Sequence, residues 1–458
     1  MMGLDFKIKD FAYPGAILKL KREFERHQWL SQEILQEYQL KRLQIIIAHA
    51  YQNVPYYQTL FHKNGLVPGD IKTIKDLEKI PCLTKDLLRI NYSSLIARNV
   101  KQYDPMELAT SGTTGGQVKF LVDRVSNVLE FVYYWRSWGW AGYRLGDKFA
   151  ELSAQVFTPY ETRGKEFYRY QPLIRRLLLN SLQIAHRNAD VYVNIFRKFK
   201  PLFLKGLPSN LYMLALVLNE RKGHGICLRA VFSQGETLLR HQRELIERVF
   251  SCKVFDAYGH MERTVAISQC SEGNYHVHQD YGVTEFEPFS TNSGTGADEV
   301  LTEIVSTSLY NFSMPLIRYR TGDLAKIHLK PVACLCKRSF PIVASLEGRI
   351  ADVVITPDQR AITALYVALD RTPGILLGQI VQDQIDQLVV RVACDAGDRL
   401  VVDLALIRNI KEFVGNKMKI EIIHESVEKI RGENFRKFKS VVSQVSSEKI
   451  FGSSIIIW

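Results

Sequence analysis

The segment from Thr110 to Lys119 reads TSGTTGGQVK and is the most informative stretch of the chain. Hydroxyl residues and glycines fill its first positions, and a lysine follows shortly after them. Glycines let backbone amides face a ligand closely, and the hydroxyl groups of Ser111, Thr113 and Thr114 add donors, so the segment suits a polyphosphate. It does not match the G-x-x-x-x-G-K-[ST] pattern of a P-loop. Because ordinary surface turns have the same composition, the segment alone leaves both interpretations open.

Length and composition indicate a folded protein with more than one core. The chain has 458 residues, of which 46% are hydrophobic and 24% are charged, which is near the average for globular proteins. The net charge of +12 suits ATP or coenzyme A, and it also suits an acidic membrane surface or nucleic acid. The basic residues are scattered, so nucleic-acid binding is the least favoured. No window is apolar enough for a transmembrane segment and no signal peptide is recognisable, so we expect a cytoplasmic protein.

The hydrophobic patterns predict an α/β protein. The first hundred or so residues have a helical pattern, and from Leu108 onward short apolar runs alternate with helices. The aromatic residues of a helix predicted over 126–140 are expected to pack in a core. A helix predicted over Ser209–Leu218 would be capped by Ser209. The predicted strands span 148–154, 201–206, 228–234, 253–258 and 300–308.

A second, smaller domain is predicted after Glu347. Beyond this residue the pattern indicates a hairpin, two strands, a helix, another strand and a basic segment. These elements form an α+β unit of a plausible domain size. We therefore expect a domain over residues 1–347 and another over 348–458.

Three later motifs place polar groups in turns. Tyr258-Gly259-His260-Met261-Glu262 follows a predicted strand, so that a ring able to stack on a base and a carboxylate able to hold Mg²⁺ lie on one loop. In Arg318-Tyr319-Arg320-Thr321-Gly322-Asp323 the aspartate can accept both hydroxyls of a ribose. Gly348-Arg349 combines a hinge with an arginine able to reach a nucleotide. Each motif alone is a weak signal, since a tyrosine at a strand end usually packs and an arginine at a domain boundary is mostly solvated.

In this order, the motifs resemble those of the adenylate-forming superfamily, above all its branch of phenylacetate-CoA ligases and CapK-type capsular polysaccharide biosynthesis proteins. Further segments that match are HAYQNVPYY (49–57), IPCLTK (80–85), LKGLPSN (204–210) and SQGET (233–237). The resemblance implies a large α/β domain that binds ATP and a small, mobile α+β domain. The nucleotide-binding residues it implies are Thr110, Ser111, Gly112, Thr113, Thr114, Gly115, Gly235, Glu236, Tyr258, Gly259, Asp323 and Arg349.

The resemblance also implies a reaction. A carboxylic acid and ATP form acyl-AMP and pyrophosphate, and a thiol such as coenzyme A then takes the acyl group. Negative charge accumulates at the phosphate in the first step, so cations are needed there. The implied catalytic residues are Thr113, Glu262, which would hold Mg²⁺, and Lys437, which would bridge the α-phosphate and the acid. Lys439 is an alternative to Lys437.

The chain departs from the family pattern at several positions. Arg436 stands where the family has a glycine, Ala351-Asp352 replaces an acidic pair at the hinge, and Gly116-Gln117 replaces a lysine-proline after the phosphate loop. These departures motivate an alternative function, a non-catalytic nucleotide-binding scaffold protein of envelope polysaccharide assembly. The particular acid, the acyl acceptor and the oligomeric state stay open.

The cysteine pattern predicts a metal site only together with the family resemblance, because its spacing is not that of a common C-x2-C knuckle and is by itself more often chance. Seven cysteines, an odd number spread over a long chain, argue against a disulfide framework. Cys270 and His276 have C-x5-H spacing, and Cys334 and Cys336 have C-x-C spacing. Three thiolates and one imidazole make a closed tetrahedral set typical of structural Zn²⁺. The branch resembled here carries a similar pattern, and His278 is a competing ligand.

Overall fold

The computed structural model describes residues 14–109, 118–153, 155–157, 165–221, 225–289, 298–349, 354–357, 361–362, 365–395, 399–431, 438–443 and 445. The chain divides into two compact units. The first comprises residues 1–147, 255–321 and 325–346, and the second comprises residues 148–254, 322–324 and 347–458. The division into domains 1–347 and 348–458 stays a prediction.

The described α-helices lie mostly in the first half of the chain. They are α1 (Pro14–His27), α2 (Gln32–Asn53), α3 (Pro55–Lys63), α4 (Lys85–Ile90), α5 (Tyr92–Leu95), α6 (Arg124–Gly139), α7 (Ala189–Phe199), α8 (Pro208–Asn219), α9 (Arg240–Phe250), α10 (Tyr366–Asp370), α11 (Arg399–Val414) and α12 (Val427–Arg431). Short 3-10 turns connect several of them. None of the described helices is both long enough and apolar enough to cross a membrane.

The described strands are distributed along the chain from Met106 onward. They are β1 (Met106–Ala109), β2 (Lys119–Val122), β3 (Phe149–Ser153), β4 (Tyr168–Gln171), β5 (Arg176–Asn180), β6 (Phe203–Gly206), β7 (Ala230–Gln234), β8 (Lys253–Gly259), β9 (Ala266–Gln269), β10 (Tyr275–Val277), β11 (Gly282–Pro288), β12 (Glu299–Ser308), β13 (Tyr319–His328), β14 (Ile342–Arg349), β15 (Val354–Ile355), β16 (Ala361–Ile362), β17 (Ile375–Gln384), β18 (Gln387–Cys394), β19 (Lys419–His424) and β20 (Val441–Ser443). Helices and strands alternate as predicted, and the α/β fold class is confirmed.

In the first unit a largely antiparallel sheet packs beside the N-terminal helices. Its strands follow the order β11-β12-β13-β14-β10-β9-β8, and β1 pairs with β2 in a separate hairpin. Helix α2 buries Leu43, Ile46 and Ile47 on one face, at the three- and four-residue spacing of an amphipathic helix. These side chains join a core that also includes Phe120 and Tyr319.

The second unit contains a mainly parallel sheet and a smaller mixed sheet. In the first of these, β7-β6-β3-β5 run parallel and β4 adds an antiparallel edge. Helices α7, α8 and α9 cover it with buried residues such as Phe196, Leu211 and Phe250. The smaller sheet has the order β19-β18-β17-β20 and packs on α11 through Leu406 and Ile410. The predicted strands coincide with β3, β6, β7, β8 and β12.

The predicted capping role of Ser209 is wrong. Leu207 is the N-cap of α8 and makes no side-chain cap hydrogen bond, and Pro208 occupies the first position of the helix. Proline suits this position because the first amides of a helix have no partner within it. Ser209 therefore lies inside the first turn, where its backbone amide, not its hydroxyl, meets a partner from another segment.

Gly282 makes the closest backbone approach among the glycines that the structure describes in the first unit. It begins β11 and pairs with Ser308 of β12. A Cβ atom built on Gly282 would lie 1.9 Å from the carbonyl oxygen of Thr264 and 3.2 Å from that of Thr307. Because both obstacles are backbone atoms, no side-chain movement can relieve the clash, and the position requires glycine.

We expect the substitution Gly282→Ala to destabilise the protein by about 3 kcal/mol, as overpacking against fixed atoms does. The measurement is the midpoint of thermal unfolding followed by circular dichroism. The matched control is Gly139→Ala, because a Cβ on Gly139 of α6 meets nothing within 4 Å. Equal midpoints for the two variants would contradict the close approach at Gly282.

Candidate functional site

Glu262 is a buried carboxylate on the turn between β8 and β9. Its exposed fraction is 5%. Its Oε1 accepts a hydrogen bond from the hydroxyl of Tyr319 at 2.9 Å, and its Oε2 lies 2.9 Å from Nδ1 of His260. Both partners stand in motifs that the sequence singled out, and the structure brings these motifs together at one carboxylate.

The environment keeps Glu262 ionised. Burial alone acts to raise the pKa of Glu262, but the charge and hydrogen bond of His260, a backbone hydrogen bond and the Tyr319 hydroxyl together outweigh burial and lower the pKa to about 2. A hydrogen-bonded carboxylate with a depressed pKa carries its full charge at neutral pH. Glu262 is therefore equipped to hold a cation or a cationic group.

A chain of hydrogen bonds supports the turn that carries Glu262. Nε2 of His260 lies 3.1 Å from the hydroxyl of Thr264, which in turn hydrogen-bonds Ser306 of β12. Arg263 adopts a left-handed conformation (φ 56°) and donates a hydrogen bond to Oδ1 of Asn127 on α6 at 2.7 Å. The turn is thereby fixed to both a strand and a helix.

Tyr319 was missed by the sequence analysis as a site residue. It begins β13 and its side chain is completely buried. The backbone of Leu83 brackets it, because the Leu83 amide donates to the Arg318 carbonyl and the Leu83 carbonyl accepts from the Arg320 amide, each at 2.9 Å. In this motif the sequence drew attention to Asp323. A buried tyrosine nearby can either orient a carboxylate or only pack in the core, and the sequence does not distinguish these two roles.

Most of the other predicted nucleotide-binding residues that the structure describes lie at or near strand ends, and Asp323 lies in the middle of β13. Tyr258 and Gly259 end β8, and the half-buried ring of Tyr258 packs on the cluster around Val265 and Ile267. The remaining four are Gly235 and Glu236 after β7, Asp323 on β13 and Arg349 at the end of β14. Predicted residues that lie outside the described part of the chain are Thr110, Ser111, Gly112, Thr113, Thr114, Gly115 and Lys437.

The four predicted metal ligands come together in the first unit. The ligand atoms of Cys270, His276, Cys334 and Cys336 all lie within 4.8 Å of one another. The Sγ atoms of Cys270 and Cys334 are 3.6 Å apart, and Sγ of Cys336 is 3.3 Å from Nε2 of His276. Three thiols and one imidazole at this separation suit a tetrahedral zinc ion.

The ring of His276 is oriented for this role. Its Nδ1 donates a hydrogen bond to the carbonyl of Phe340 at 2.9 Å, which leaves the lone pair on Nε2 facing the thiols. The competing ligand His278 lies elsewhere, because its Nδ1 faces the guanidinium of Arg136 and its ring stacks on Trp140 at 5.2 Å. The geometry therefore selects His276.

Comparison with known proteins places the chain in a family. No family model matches it. Among curated proteins, the phenylacetate-coenzyme A ligase of Pseudomonas putida is 31% identical over 345 residues, covering 71% of this chain and 73% of that protein. The enzyme of the same name from Aromatoleum evansii is 30% identical over 345 residues, covering 71% and 72%. Protein CapK of Staphylococcus aureus is 24% identical over 360 residues, covering 77% of each chain.

Solved structures show the same fold. The 2-hydroxyisobutyryl-CoA ligase in its postadenylation state, in complex with R3-HIB-AMP, superposes with a TM-score of 0.70 at 19% identity, covering 93% of this chain and 92% of that chain. The same ligase in complex with 2-HIB-AMP has a TM-score of 0.69 at 20% identity. The chain thus belongs to the phenylacetate-coenzyme A ligase family of adenylate-forming enzymes, which confirms the family and the class of carboxylate-adenylating ligase predicted from its motifs.

Proposed function

We propose that this protein activates a carboxylic acid with ATP and transfers the acyl group to coenzyme A. The observation that carries the proposal is Glu262, a buried carboxylate with a pKa of about 2 on the turn after β8. Such a carboxylate would supply the fixed negative charge that a magnesium nucleotide requires.

The reaction has two balanced steps. In the first, an oxygen of the substrate carboxylate forms a bond to the α-phosphorus of ATP, and the bond from that phosphorus to the bridging oxygen breaks, so that pyrophosphate leaves. In the second, the thiolate sulfur of coenzyme A bonds to the acyl carbon, and AMP leaves with the electron pair of the broken C–O bond. Both the nucleophile and the phosphates are anionic in the first step, so positive charge at the phosphates lowers its barrier.

Glu262 would hold Mg²⁺ together with the phosphates of ATP. This ion commonly binds proteins through only one or two carboxylates, with substrate phosphates and water as its other ligands. The single ionised carboxylate of Glu262 fits that need, since each of its oxygens keeps a lone pair beyond the bonds to Tyr319 and His260. Bound there, the ion would neutralise charge that develops on the phosphates.

The remaining contacts to the nucleotide are proposed from the family motifs. Tyr258 would stack on adenine, Asp323 would accept the ribose hydroxyls, and the segment from Thr110 to Gly115, which includes the proposed catalytic residue Thr113, would bind the phosphates. Gly259, Gly235 and Arg349 would line the same nucleotide. Lys437 would bridge the α-phosphate and the carboxylate in the first step.

The cysteine cluster is proposed as a structural zinc site. Cys270, His276, Cys334 and Cys336 form a complete set of four ligands, so no open position is left for a water or a substrate. The ion would join the turn after β9 to the segment before β14. A part in capsular or envelope polysaccharide biosynthesis stays a prediction, and so do the cytoplasmic location and the absence of nucleic-acid binding.

The proposed function is tested by pyrophosphate release from Mg-ATP with a panel of aryl, fatty and amino acids, phenylacetate included. We expect Glu262→Gln to lower kcat by about 100-fold or more, because the amide keeps the shape but loses the charge. The exposed control Glu244→Gln of α9 is expected to match the wild type.

Because the pKa of Glu262 is about 2, its ionisation favours the folded, active protein above its ordinary pKa and is lost only as pH falls towards 2. An acid limb in the rate near neutral pH must therefore come from another group, and a fully active Glu262→Gln variant would contradict the proposed role.

We expect Lys437→Ala to abolish formation of acyl-AMP while ATP binding stays nearly intact, since the lysine acts on charge that develops during the reaction. The measurements are pyrophosphate release and the equilibrium dissociation constant for ATP. Lys439→Ala is the matched control two residues away. Loss of activity in the control alone would assign the role to Lys439, and release unchanged in both would refute it for either lysine.

We expect the purified protein to contain one zinc ion per chain, and Cys334→Ser to lose it and to unfold at a lower temperature. Metal content is measured by inductively coupled plasma mass spectrometry. Cys227→Ser is the control, because Cys227 is exposed and is not one of the clustered ligands. Wild-type protein that stays free of zinc after expression and purification with added zinc would contradict the site.

A further inference from the structure

A carboxylate of the second unit joins two segments that are distant in the sequence. Glu236 follows β7, where Gly235 turns the backbone through the left-handed region (φ 87°) that favours glycine. Its Oε2 accepts a hydrogen bond from the amide of Ser209 at 3.0 Å, and its Oε1 accepts one from the amide of Phe438 at 3.1 Å. One side chain therefore binds the start of α8 and the segment that leads into β20.

The bond to Ser209 anchors the carboxylate on a rigid element. Ser209 lies in the first turn of α8, where backbone amides have no partner within the helix and the helix dipole is positive. Pro208 before it offers no N–H. A carboxylate in this position is stabilised as an anion, and the helix determines where Glu236 stands.

The other oxygen holds the chain next to the proposed adenylation lysine. Phe438 is the residue after Lys437. On its other side the side-chain amide of Gln379 in β17 donates a hydrogen bond from Nε2 to the carbonyl of Lys439 at 2.9 Å. The backbone that follows Lys437 is thus bound both by Glu236 and by the small mixed sheet.

Two more contacts join the same parts of the second unit. Arg431 donates a hydrogen bond to Oδ1 of Asn210, and the hydroxyl of Tyr212 donates one to the carbonyl of Leu376 at 2.9 Å. Burial lowers the pKa of Arg431, and the nearby charge of Glu236 opposes that change. Opposite charges therefore stabilise each other where α8 meets the C-terminal segments.

We propose that Glu236 is a positioning residue for adenylation, which acts by holding the amide of Phe438 and thereby placing Lys437. The inference rests on the proposed function, in which Lys437 serves the first step only. The family resemblance implied that Glu236 binds the nucleotide. Both of its oxygens accept backbone amides of this chain, which assigns it to the placement of the protein's own segment.

The test is steady-state pyrophosphate release by Glu236→Gln. The amide side chain can accept from only one of the two backbone donors and turns its own NH₂ group towards the other. We expect kcat to fall about 10- to 100-fold, the scale of a lost hydrogen bond to a charged group. The KM for ATP is expected to change by less than twofold, and transfer to coenzyme A from chemically prepared acyl-AMP is expected to keep its rate. Glu244→Gln is again the control.

Each result decides one question. A raised KM for ATP at constant kcat would show that Glu236 binds the nucleotide and would overturn the proposal, as would equal losses in both partial reactions. Should Glu236→Gln fail to fold, Asn210→Ala, which removes the acceptor for Arg431, must show the same selective loss of kcat. If the wild type released no pyrophosphate with any acid, the proposed function itself would be refuted. If the wild type were active and Glu236→Gln released pyrophosphate equally fast, only the positioning role would be refuted.

Discussion

The buried ion pair between Arg136 and Asp280 is the constraint on which the first unit depends. Both side chains are inaccessible to solvent, and two guanidinium nitrogens lie 2.5 and 2.9 Å from the two carboxylate oxygens. A buried charge that loses its partner costs about 3–5 kcal/mol, so neither residue can move without the other. Arg136 also donates to the carbonyl of Phe24 at 2.8 Å, and Nδ1 of His27 lies 3.0 Å from Asp280. The pair thereby fixes α1 and α6 to the chain between β10 and β11.

The same pair decides which histidine is available to a metal. His276 lies on β10 and His278 directly follows this strand, and the ring centroids of the two residues lie 5.8 and 5.2 Å from that of Trp140. Burial and the Arg136 guanidinium hold the pKa of His278 well below its ordinary value, so its imidazole is neutral and can accept from Arg136. With His278 held in this way, His276 is left to face the thiols.

The sequence predicted what depends on short-range pattern and missed what depends on distant partners. Apolar runs between turns located β3, β6, β7, β8 and β12, because burial of a central strand imposes such runs wherever it occurs. The choice between His276 and His278 had to stay open, since Arg136 lies far away in the sequence. Tyr319 was overlooked for the same reason, because its hydroxyl donates to Glu262, which is distant in the sequence. The prediction that Ser209 is the N-cap was wrong for a local reason, because Pro208 already begins the helix.

Strand β9 connects the two sites of the first unit. Glu262 stands shortly before its first residue, and Cys270 follows its last. The strand pairs with β8 through Tyr258 and Ile267 and with β10 through His276 and Ser268, so it cannot shift without breaking both ladders. A zinc ion bound by Cys270 would fix the end of β9, and hydrogen bonds hold the turn with Glu262 that precedes the strand. Catalytic groups need placement within about 0.5 Å, and for Glu262 in its proposed role a short strand bound at both ends would provide it. The metal would then contribute to catalysis through the position of Glu262, with no part in the chemistry.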